Sequence, residues 1–240
     1  MMTGGPSAQV PGVANLRDLG GLRGAGGRAV MPRRLYRSSH LAALGADDAR
    51  ALALRTVIDL RGSEERAAAP AGGLEAGVRQ LHLPIEPRAL AAMRDLRVDG
   101  AEFDEQAAEE LMHGVYRRFV RDRSAVFGRL LQELLAAEAY PLLFHCTAGK
   151  DRTGFAAAVV LLALEVPRPV IEADFLRSND HWRPSRSDAG WVTLSRVRAD
   201  YLHTAWQTMH EEWGSPDAYL ERALGLDDAA RATLQARLLT

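Results

Sequence analysis

The 240-residue sequence has few cysteine, lysine and aromatic residues, and no long apolar run. Its one cysteine excludes an intramolecular disulfide and a multi-cysteine zinc site, and suits a reducing compartment. A formal net charge of −1 leaves no general basic field for binding nucleic acid. No run of about 18 apolar residues could span a bilayer, and the N-terminus lacks the pattern of a signal peptide. We therefore expect a cytoplasmic protein without nucleic-acid partners or stable membrane insertion, with signal-less secretion left open.

The scarcity of lysine is informative. Of the 30 basic residues only Lys150 is a lysine, and it lies four residues after Cys146, the one cysteine. A sequence that uses arginine elsewhere for surface charge has kept its single lysine beside its single thiol. This neighbourhood is therefore the first candidate for a functional site.

The hydrophobic pattern predicts strands separated by helices. Short apolar or β-branched runs predict strands at 35–37, 56–60, 78–83 and 141–144. A short helix is predicted to start at Asp47 and Asp48, and helical patterns follow at 87–138, 153–164, 168–177, 190–213, 216–224 and 227–239. This alternation predicts an α/β fold with a mainly parallel central sheet flanked by helices. Residues 1–12, rich in Gly and Pro, are expected to form a flexible N-terminal tail, and residues 13–240 a single domain.

A ten-residue motif between a predicted strand and a predicted helix carries the chemistry. Residues 145–154 read HCTAGKDRTG. A short loop in this position turns backbone N–H groups into a nest at the helix N-terminus, where an anion is stabilised. Cys146 begins the loop, and Arg152 can bind two phosphate oxygens through its planar guanidinium. We expect the amides, Lys150 and Arg152 to hold the cysteine sulfur as a thiolate. A thiolate below a bound phosphoryl group indicates a covalent phosphatase.

The Cys-x5-Arg-Thr motif preceded by His resembles the signature loop of the protein-tyrosine phosphatase superfamily. Further segments are similar to its bacterial and fungal tyrosine phosphatases: NLRDLGG at 15–21, YRSS at 36–39, TVIDLR at 56–61 followed by Glu64 and Glu65, and the helical C-terminus. The resemblance implies a protein-tyrosine-phosphatase-like fold. It also implies hydrolysis of phosphotyrosine, with phosphoserine, phosphothreonine and phosphoinositide monoesters as further substrates.

The resemblance assigns roles within the loop. Cys146 would be the nucleophile and Arg152 the phosphate clamp. His145 would hold the thiolate through hydrogen bonds, and Thr153 would assist the thiolate as leaving group when the phosphocysteine breaks down. Lys150 resembles the lysine of lipid-directed signature loops and would add a charge for a phosphate. The other substrate-binding residues would be Thr147, Ala148 and Gly149. No metal or cofactor is expected; the partners are phosphorylated proteins or phosphoinositides, and no oligomeric state is indicated.

The general acid has two candidates. Tyr116 occupies the place where the dual-specificity branch often has its aspartate. Asp151 resembles the loop aspartate of the bacterial group and of myotubularin-like lipid phosphatases. Asp59 ends a predicted parallel strand, where open α/β sheets place their sites. Asp59 could instead orient Arg152 or the loop backbone.

Two further regions lead to expectations about structure. All four tryptophans lie between 182 and 213, and relatives cover the pocket with a mobile helical lid; residues 179–213 are predicted to form such a lid or a fixed helical layer. Its beginning would include Trp182, Arg183, Pro184 and Arg186.

Nearer the N-terminus, Arg17 and Asp18 are expected to form a pair. Arg37 is expected to form a salt bridge, to lie exposed or to reach the pocket.

Two other functions compete with a phosphatase. A rhodanese-like sulfurtransferase also uses a loop cysteine, but the His before Cys146 and the Arg152-Thr153 pair argue against it. A non-catalytic phospho-binding module would not need every signature position filled, as it is here.

Overall fold

A five-stranded sheet organises the computed structural model, which describes residues 10–87, 103–182 and 187–240. The strands are β1 (Arg17–Asp18), β2 (Leu35–Ser38), β3 (Thr56–Asp59), β4 (Arg79–His82) and β5 (Leu142–His145). Their order across the sheet is β1-β2-β5-β3-β4. β1 runs antiparallel to β2, and all other neighbours are parallel. The predicted α/β fold with a mainly parallel sheet is confirmed.

The central strand β5 sets the position of the site. Its four residues are fully buried, as expected for a parallel strand covered on both faces. At its carboxyl end His145 lies opposite Ser38 of β2 and Asp59 of β3. Three parallel strands therefore end together at one edge of the sheet, where open α/β folds bind their ligands.

Helices surround the sheet in the described residues. They are α1 (Ala46–Leu52), α2 (Ser63–Ala68), α3 (Glu105–Asp122), α4 (Ser124–Leu134), α5 (Asp151–Ala163), α6 (Arg168–Leu176), α7 (Ala189–Leu194), α8 (Ala199–Trp213), α9 (Pro216–Ala218) and α10 (Asp228–Leu238). Short 3-10 turns lie at Ala25–Gly27, Ala137–Ala139 and Arg177–His181, and a π-helical turn spans Tyr219–Ala223. Helix α2 and the short strand β1 were not among the predicted elements.

The helix predicted over 190–213 is wrong, because it consists of two helices, α7 and α8. Between them the backbone of Val197 is bound by one side chain: Asn179 donates to its carbonyl at 2.9 Å and accepts from its N–H at 2.9 Å. These bonds replace the partners that Val197 would have in a continuous helix. Arg198 is then extended (φ −130°) before α8 begins.

The sheet has a core on each face, because side chains of a strand alternate between faces. Leu142 and Phe144 of β5 join the larger core, which includes residues of α3, α4, α5 and α8. Leu143 joins the smaller core on the opposite face. Helix α5 has ten buried residues, so its N-terminal end is held firmly against the end of β5.

Some predicted segments lie outside the described residues: 1–9 of the tail, 88–102 of the helical region, and Arg183, Pro184 and Arg186 of the lid. Within the ranges that the structure describes, no helix is both long and apolar enough to cross a bilayer.

Candidate active site

The motif of residues 145–154 forms a loop that joins β5 to α5 and then continues into the helix. Cys146 follows β5 directly and is 2% exposed. Gly149 has a φ of +67°, and a Cβ at this position would lie 2.4 Å from the carbonyl carbon of Ser38. Only glycine fits this left-handed, crowded position, so the residue at 149 allows the loop to close against the end of β2.

Three consecutive carbonyl groups of the loop are held by donors from outside it. The backbone N–H of His40 donates to the Thr147 carbonyl at 3.1 Å, and Trp182 Nε1 donates to the Ala148 carbonyl at 3.0 Å. The Gly149 carbonyl accepts from Asn15 Nδ2 and from Arg37 Nη2, both at 2.8 Å. The C=O and N–H groups of a peptide unit point in opposite directions. The loop amides therefore point away from these donors, as an anion-binding nest requires.

A buried ion cluster holds two of these donors, Arg37 directly and Asn15 through Arg17. Arg17 Nε and Arg37 Nη1 each lie 2.7 Å from a different carboxylate oxygen of Asp174. Both arginines are 0% exposed. Burial and the neighbouring Arg17 lower the pKa of Arg37 to about 10. Burial raises the pKa of Asp174, but the two arginines outweigh it and leave that pKa below its usual value.

The expected pair of Arg17 with Asp18 is wrong. The Asp18 carboxylate accepts hydrogen bonds from the backbone N–H groups of Gly20 at 2.8 Å and Arg33 at 2.5 Å. Asp18 therefore closes the N-terminal turn on its own. Of the three expectations for Arg37, the salt bridge is the one observed.

Arg152 is held by Glu65 of α2. Its Nη1 donates to Glu65 Oε2 at 2.5 Å and its Nη2 to Oε1 at 2.8 Å; Nη1 also donates to the Ile85 carbonyl at 3.0 Å. Burial raises the pKa of Glu65, but its contacts with Arg152 and with the Thr147 hydroxyl bring it down to about 2. For Arg152 the two effects have the opposite signs: burial lowers its pKa, but Glu65 and Cys146 raise it, and the pKa is above its usual value. Glu65 was missed as a site residue; its only signal was its place beside a segment that resembles the family.

The structure separates the two candidate acids. Asp151, the first residue of α5, lines the same cavity as Cys146, and its Oδ1 accepts a hydrogen bond from the Tyr116 hydroxyl at 3.1 Å. Asp59 lines a different cavity and binds Arg61, with Nε to Oδ1 at 2.9 Å and Nη2 to Oδ2 at 2.7 Å. Asp59 therefore orients Arg61 rather than Arg152.

The remaining loop residues have distinct contacts. His145 Nδ1 lies 3.3 Å from the carbonyl oxygen of Cys146, and burial lowers the pKa of His145 to about 4, so the ring is neutral at pH 7. The buried Thr153 hydroxyl has no hydrogen-bond partner among the described residues. Lys150 Nζ donates to the Leu194 carbonyl at the end of α7, at 2.6 Å. The loop is thus tied directly to the first helix of the predicted lid.

These residues surround a cavity of about 250 Å³, here called the active-site cavity. It is lined by Glu65 and by six loop residues: Cys146, Thr147, Ala148, Lys150, Asp151 and Arg152. One wall is apolar, and Arg118, Arg123 and Glu86 lie at its polar side; the apolar residues are Ile85, Met112, Val115, Phe119 and Leu194. Where the chain is described, no group of three or more metal-ligating side chains occurs. The arrangement brings a thiol, a guanidinium group and a carboxyl group together beside an apolar surface.

Two curated proteins and one solved structure are similar to this chain. A protein of Cupriavidus necator, provisionally named a tyrosine-protein phosphatase, is 37% identical over 90% of this chain and 84% of its own length. The triple specificity protein phosphatase PtpB of Mycobacterium tuberculosis is 32% identical over 96% of this chain and 98% of its own. The solved structure of P. aeruginosa TpbA matches with a TM-score of 0.36 and 19% identity, over 95% of this chain and 94% of that chain.

The model of a whole protein family also matches the chain. The matched region runs from residue 8 to residue 240, and the family is described as the tyrosine phosphatase family. It includes β5, the signature loop and the C-terminal helices. By this match, and by its identity to curated phosphatases over nearly the whole length, the chain belongs to the tyrosine phosphatase family.

Proposed function

We propose that this protein-tyrosine phosphatase acts through a phosphocysteine intermediate on Cys146, with Asp151 as general acid and base. The observation that carries the proposal is the meeting of Cys146, Asp151 and Arg152 in one cavity. A nucleophile, an acid and a cation beside the same small volume are the components of a two-step displacement at phosphorus.

Arg152 has an edge free for the phosphate. Two of its five N–H groups go to Glu65 and one to the Ile85 carbonyl. Nε has no partner among the described residues, and the second Nη2 hydrogen has only a 3.4 Å contact with the Thr147 hydroxyl. The Nε–Nη2 edge can therefore bind two phosphate oxygens side by side. Glu65 holds that edge in place before the substrate arrives.

In the first step, the Cys146 thiolate attacks phosphorus and the bond from phosphorus to the tyrosine oxygen breaks. Asp151 gives its proton to that oxygen, so the phenol leaves neutral. Arg152 and the loop amides bind the oxygens of the transferring phosphoryl group, where negative charge must be stabilised.

In the second step, a water molecule attacks the phosphorus of the phosphocysteine, and Asp151 takes a proton from that water. The bond between phosphorus and sulfur breaks and releases the Cys146 thiolate. Thr153, whose buried hydroxyl has no other partner in the described chain, would donate a hydrogen bond to this sulfur as it leaves.

Phosphoserine, phosphothreonine and phosphoinositide monoesters are further proposed substrates. The apolar wall of the active-site cavity favours an aromatic leaving group, while Asp151 could protonate the poorer alkoxide leaving groups. The M. tuberculosis relative is named a triple specificity phosphatase. Lys150 lines the same cavity and would add a charge for a second phosphate.

The decisive experiment measures hydrolysis of p-nitrophenyl phosphate in EDTA by wild type and by Cys146→Ser. We expect a loss of more than about 10³-fold in kcat, since the nucleophile is removed. A radiolabelled phosphoenzyme should be trapped by acid quench of wild type only. Retained binding of vanadate shows that Cys146→Ser is folded, and turnover that survives the substitution would refute the mechanism.

Further assays separate the competing functions and substrates. Thiosulfate:cyanide activity greater than phosphatase activity would favour a sulfurtransferase, and phosphopeptide binding without turnover would favour a binding module. A panel of phosphotyrosine peptide, phosphothreonine peptide and phosphoinositide then tests the wider substrate range. The same panel run on Asp151→Asn and Asp59→Asn assigns the acid: only Asp151→Asn should lose most rate on the alkyl phosphates.

A further inference from the structure

Tyr116 of α3 is buried beside the catalytic loop. It is 0% exposed, and its ring centroid lies 5.2 Å from that of Phe119, 6.0 Å from Phe175 and 5.5 Å from Tyr201. It also contacts Phe155 edge-on at 6.5 Å. Rings packed on several sides leave Tyr116 little rotational freedom, so its hydroxyl is fixed relative to the helices around it.

The hydroxyl of this tyrosine reaches the residue proposed as general acid. It donates to Asp151 Oδ1 at 3.1 Å. Asp151 begins α5, and Phe155 lies one turn further along the same helix, against the Tyr116 ring. The tyrosine therefore contacts the helix at two points, by ring packing and by its hydroxyl. Burial and the nearby Asp151 raise the pKa of Tyr116 well above its usual value, so the hydroxyl remains a donor at any working pH.

We propose that Tyr116 is a positioning residue that fixes the Asp151 carboxyl group and leaves Oδ2 as the oxygen that exchanges protons with the substrate. This rests on the proposed role of Asp151. Oδ1 accepts a hydrogen bond from the tyrosine, whereas Oδ2 forms an ion pair with Lys150 Nζ at 3.8 Å, too long for a hydrogen bond. The Asp151 side chain is 25% exposed and lines the active-site cavity.

Fixing Oδ1 determines which oxygen of Asp151 carries the proton. An aspartate with a free χ2 angle could present either oxygen and would spend much of its time turned away from the leaving group. With Oδ1 held, the proton of the acid form resides on Oδ2, in the first step it moves to the leaving oxygen, and in the second step Oδ2 accepts a proton from water. Precise placement of a proton donor matters most when the leaving group is poor.

The test compares p-nitrophenyl, phenyl and benzyl phosphates, which share one ring and differ in leaving ability. Since kcat/KM reports phosphoenzyme formation, it isolates the step that needs the acid. We expect Tyr116→Phe to lower kcat/KM about tenfold for benzyl phosphate, the effect of one lost hydrogen bond, and less than about threefold for p-nitrophenyl phosphate. In an Asp151→Asn background, Tyr116→Phe should leave the ratio of these rates unchanged.

Tyr201→Phe is the matched control. It removes a buried hydroxyl from the same aromatic cluster, one with no hydrogen-bond partner among the described residues. The leaving-group ratio should stay at the wild-type value. If melting curves show that Tyr116→Phe is unfolded, Tyr116→Met, which also lacks the hydroxyl, takes its place.

Each remaining outcome decides a different point. Equal losses on all three substrates, or a further change of the ratio in the Asp151→Asn background, would overturn the positioning role. If Asp151→Asn alone shows no dependence on the leaving group, the acid assignment fails and the positioning role fails with it. The phosphocysteine mechanism is judged separately by Cys146→Ser.

Discussion

Glu65 binds both terminal nitrogens of Arg152, with its two oxygens at 2.5 and 2.8 Å. These residues are 87 positions apart in the chain, on α2 and α5. The pair is mostly buried, with 18% of the Glu65 side chain and 12% of the Arg152 side chain exposed. An arginine that lies ready in this way loses less rotational entropy when a phosphate binds.

Glu65→Gln should therefore lower kcat/KM for p-nitrophenyl phosphate by about 10- to 100-fold, the range found at metal sites when a residue that orients a metal ligand is lost. The amide keeps the shape but can accept only one of the two arginine hydrogen bonds. Steady-state kinetics measure the effect. Glu64→Gln, at the exposed neighbouring position, is the control and should match wild type; equal losses in both variants would contradict the role of Glu65.

Arg152→Lys tests the same ion pair by changing the arginine instead of the glutamate. Lysine keeps the positive charge but cannot bind two phosphate oxygens in parallel or satisfy Glu65 with two N–H groups. We expect a fall in kcat of more than about 10²-fold, the cost of losing an oriented transition-state donor. Near-normal turnover would show that charge alone is sufficient.

His145 predicts how stability depends on pH. Its pKa in the folded protein is about 4 because of burial, below the ordinary value of about 6.5. The unfolded chain therefore binds a proton more readily, and the free energy of unfolding should fall as pH falls from about 6.5 to 4. The contribution is at most about 3 kcal/mol. Urea denaturation at several pH values in this range gives the free energy of unfolding as a function of pH. This free energy should change less with pH in His145→Gln than in wild type, and the same pH dependence in both would show that another group is responsible.

Asp174 predicts a large loss of stability. Asp174→Asn leaves Arg17 and Arg37 buried without their shared counter-charge, which should cost about 3–5 kcal/mol in the free energy of unfolding. Asp217→Asn breaks an ion pair with Arg231 in which Asp217 is 71% exposed, and should cost less than about 1 kcal/mol. Similar effects for both variants in urea denaturation would contradict the importance of burial.

Sequence reasoning reached the fold and the loop because both depend on local patterns. The apolar run at β5, the β-branched run at β3 and the spacing of Cys146 and Arg152 are all contained within a few neighbouring residues. The contacts between Glu65 and Arg152, or between Tyr116 and Asp151, join elements distant in the chain, and no spacing rule predicts them. The break between α7 and α8 was missed for the same reason, since Asn179 binds Val197 from a different turn.

Asn15 predicts an effect on anion affinity. Its side-chain amide donates to the Gly149 carbonyl at 2.8 Å, and Asn15→Asp replaces this donor with an acceptor of the same shape. We expect the inhibition constant of vanadate to rise about tenfold, because the buried Gly149 carbonyl loses one of its two donors and faces an acceptor in its place. Gln132→Glu removes a comparable amide bond, to the Gly225 carbonyl at 3.0 Å on an exposed surface, and should leave vanadate inhibition unchanged.

The N-terminal segment supplies no reacting atom, yet Asn15 binds the signature loop and Arg17 binds the aspartate that also holds Arg37. The signature loop is thus stabilised by a residue more than 130 positions away in the chain. A shortened version that starts at β2 would keep Cys146, Asp151 and Arg152 but lose the supports that shape the anion nest. Anyone trimming this protein for crystallisation or fusion should therefore retain residues 13–20, which also contribute Val13, Leu16 and Leu19 to the buried core.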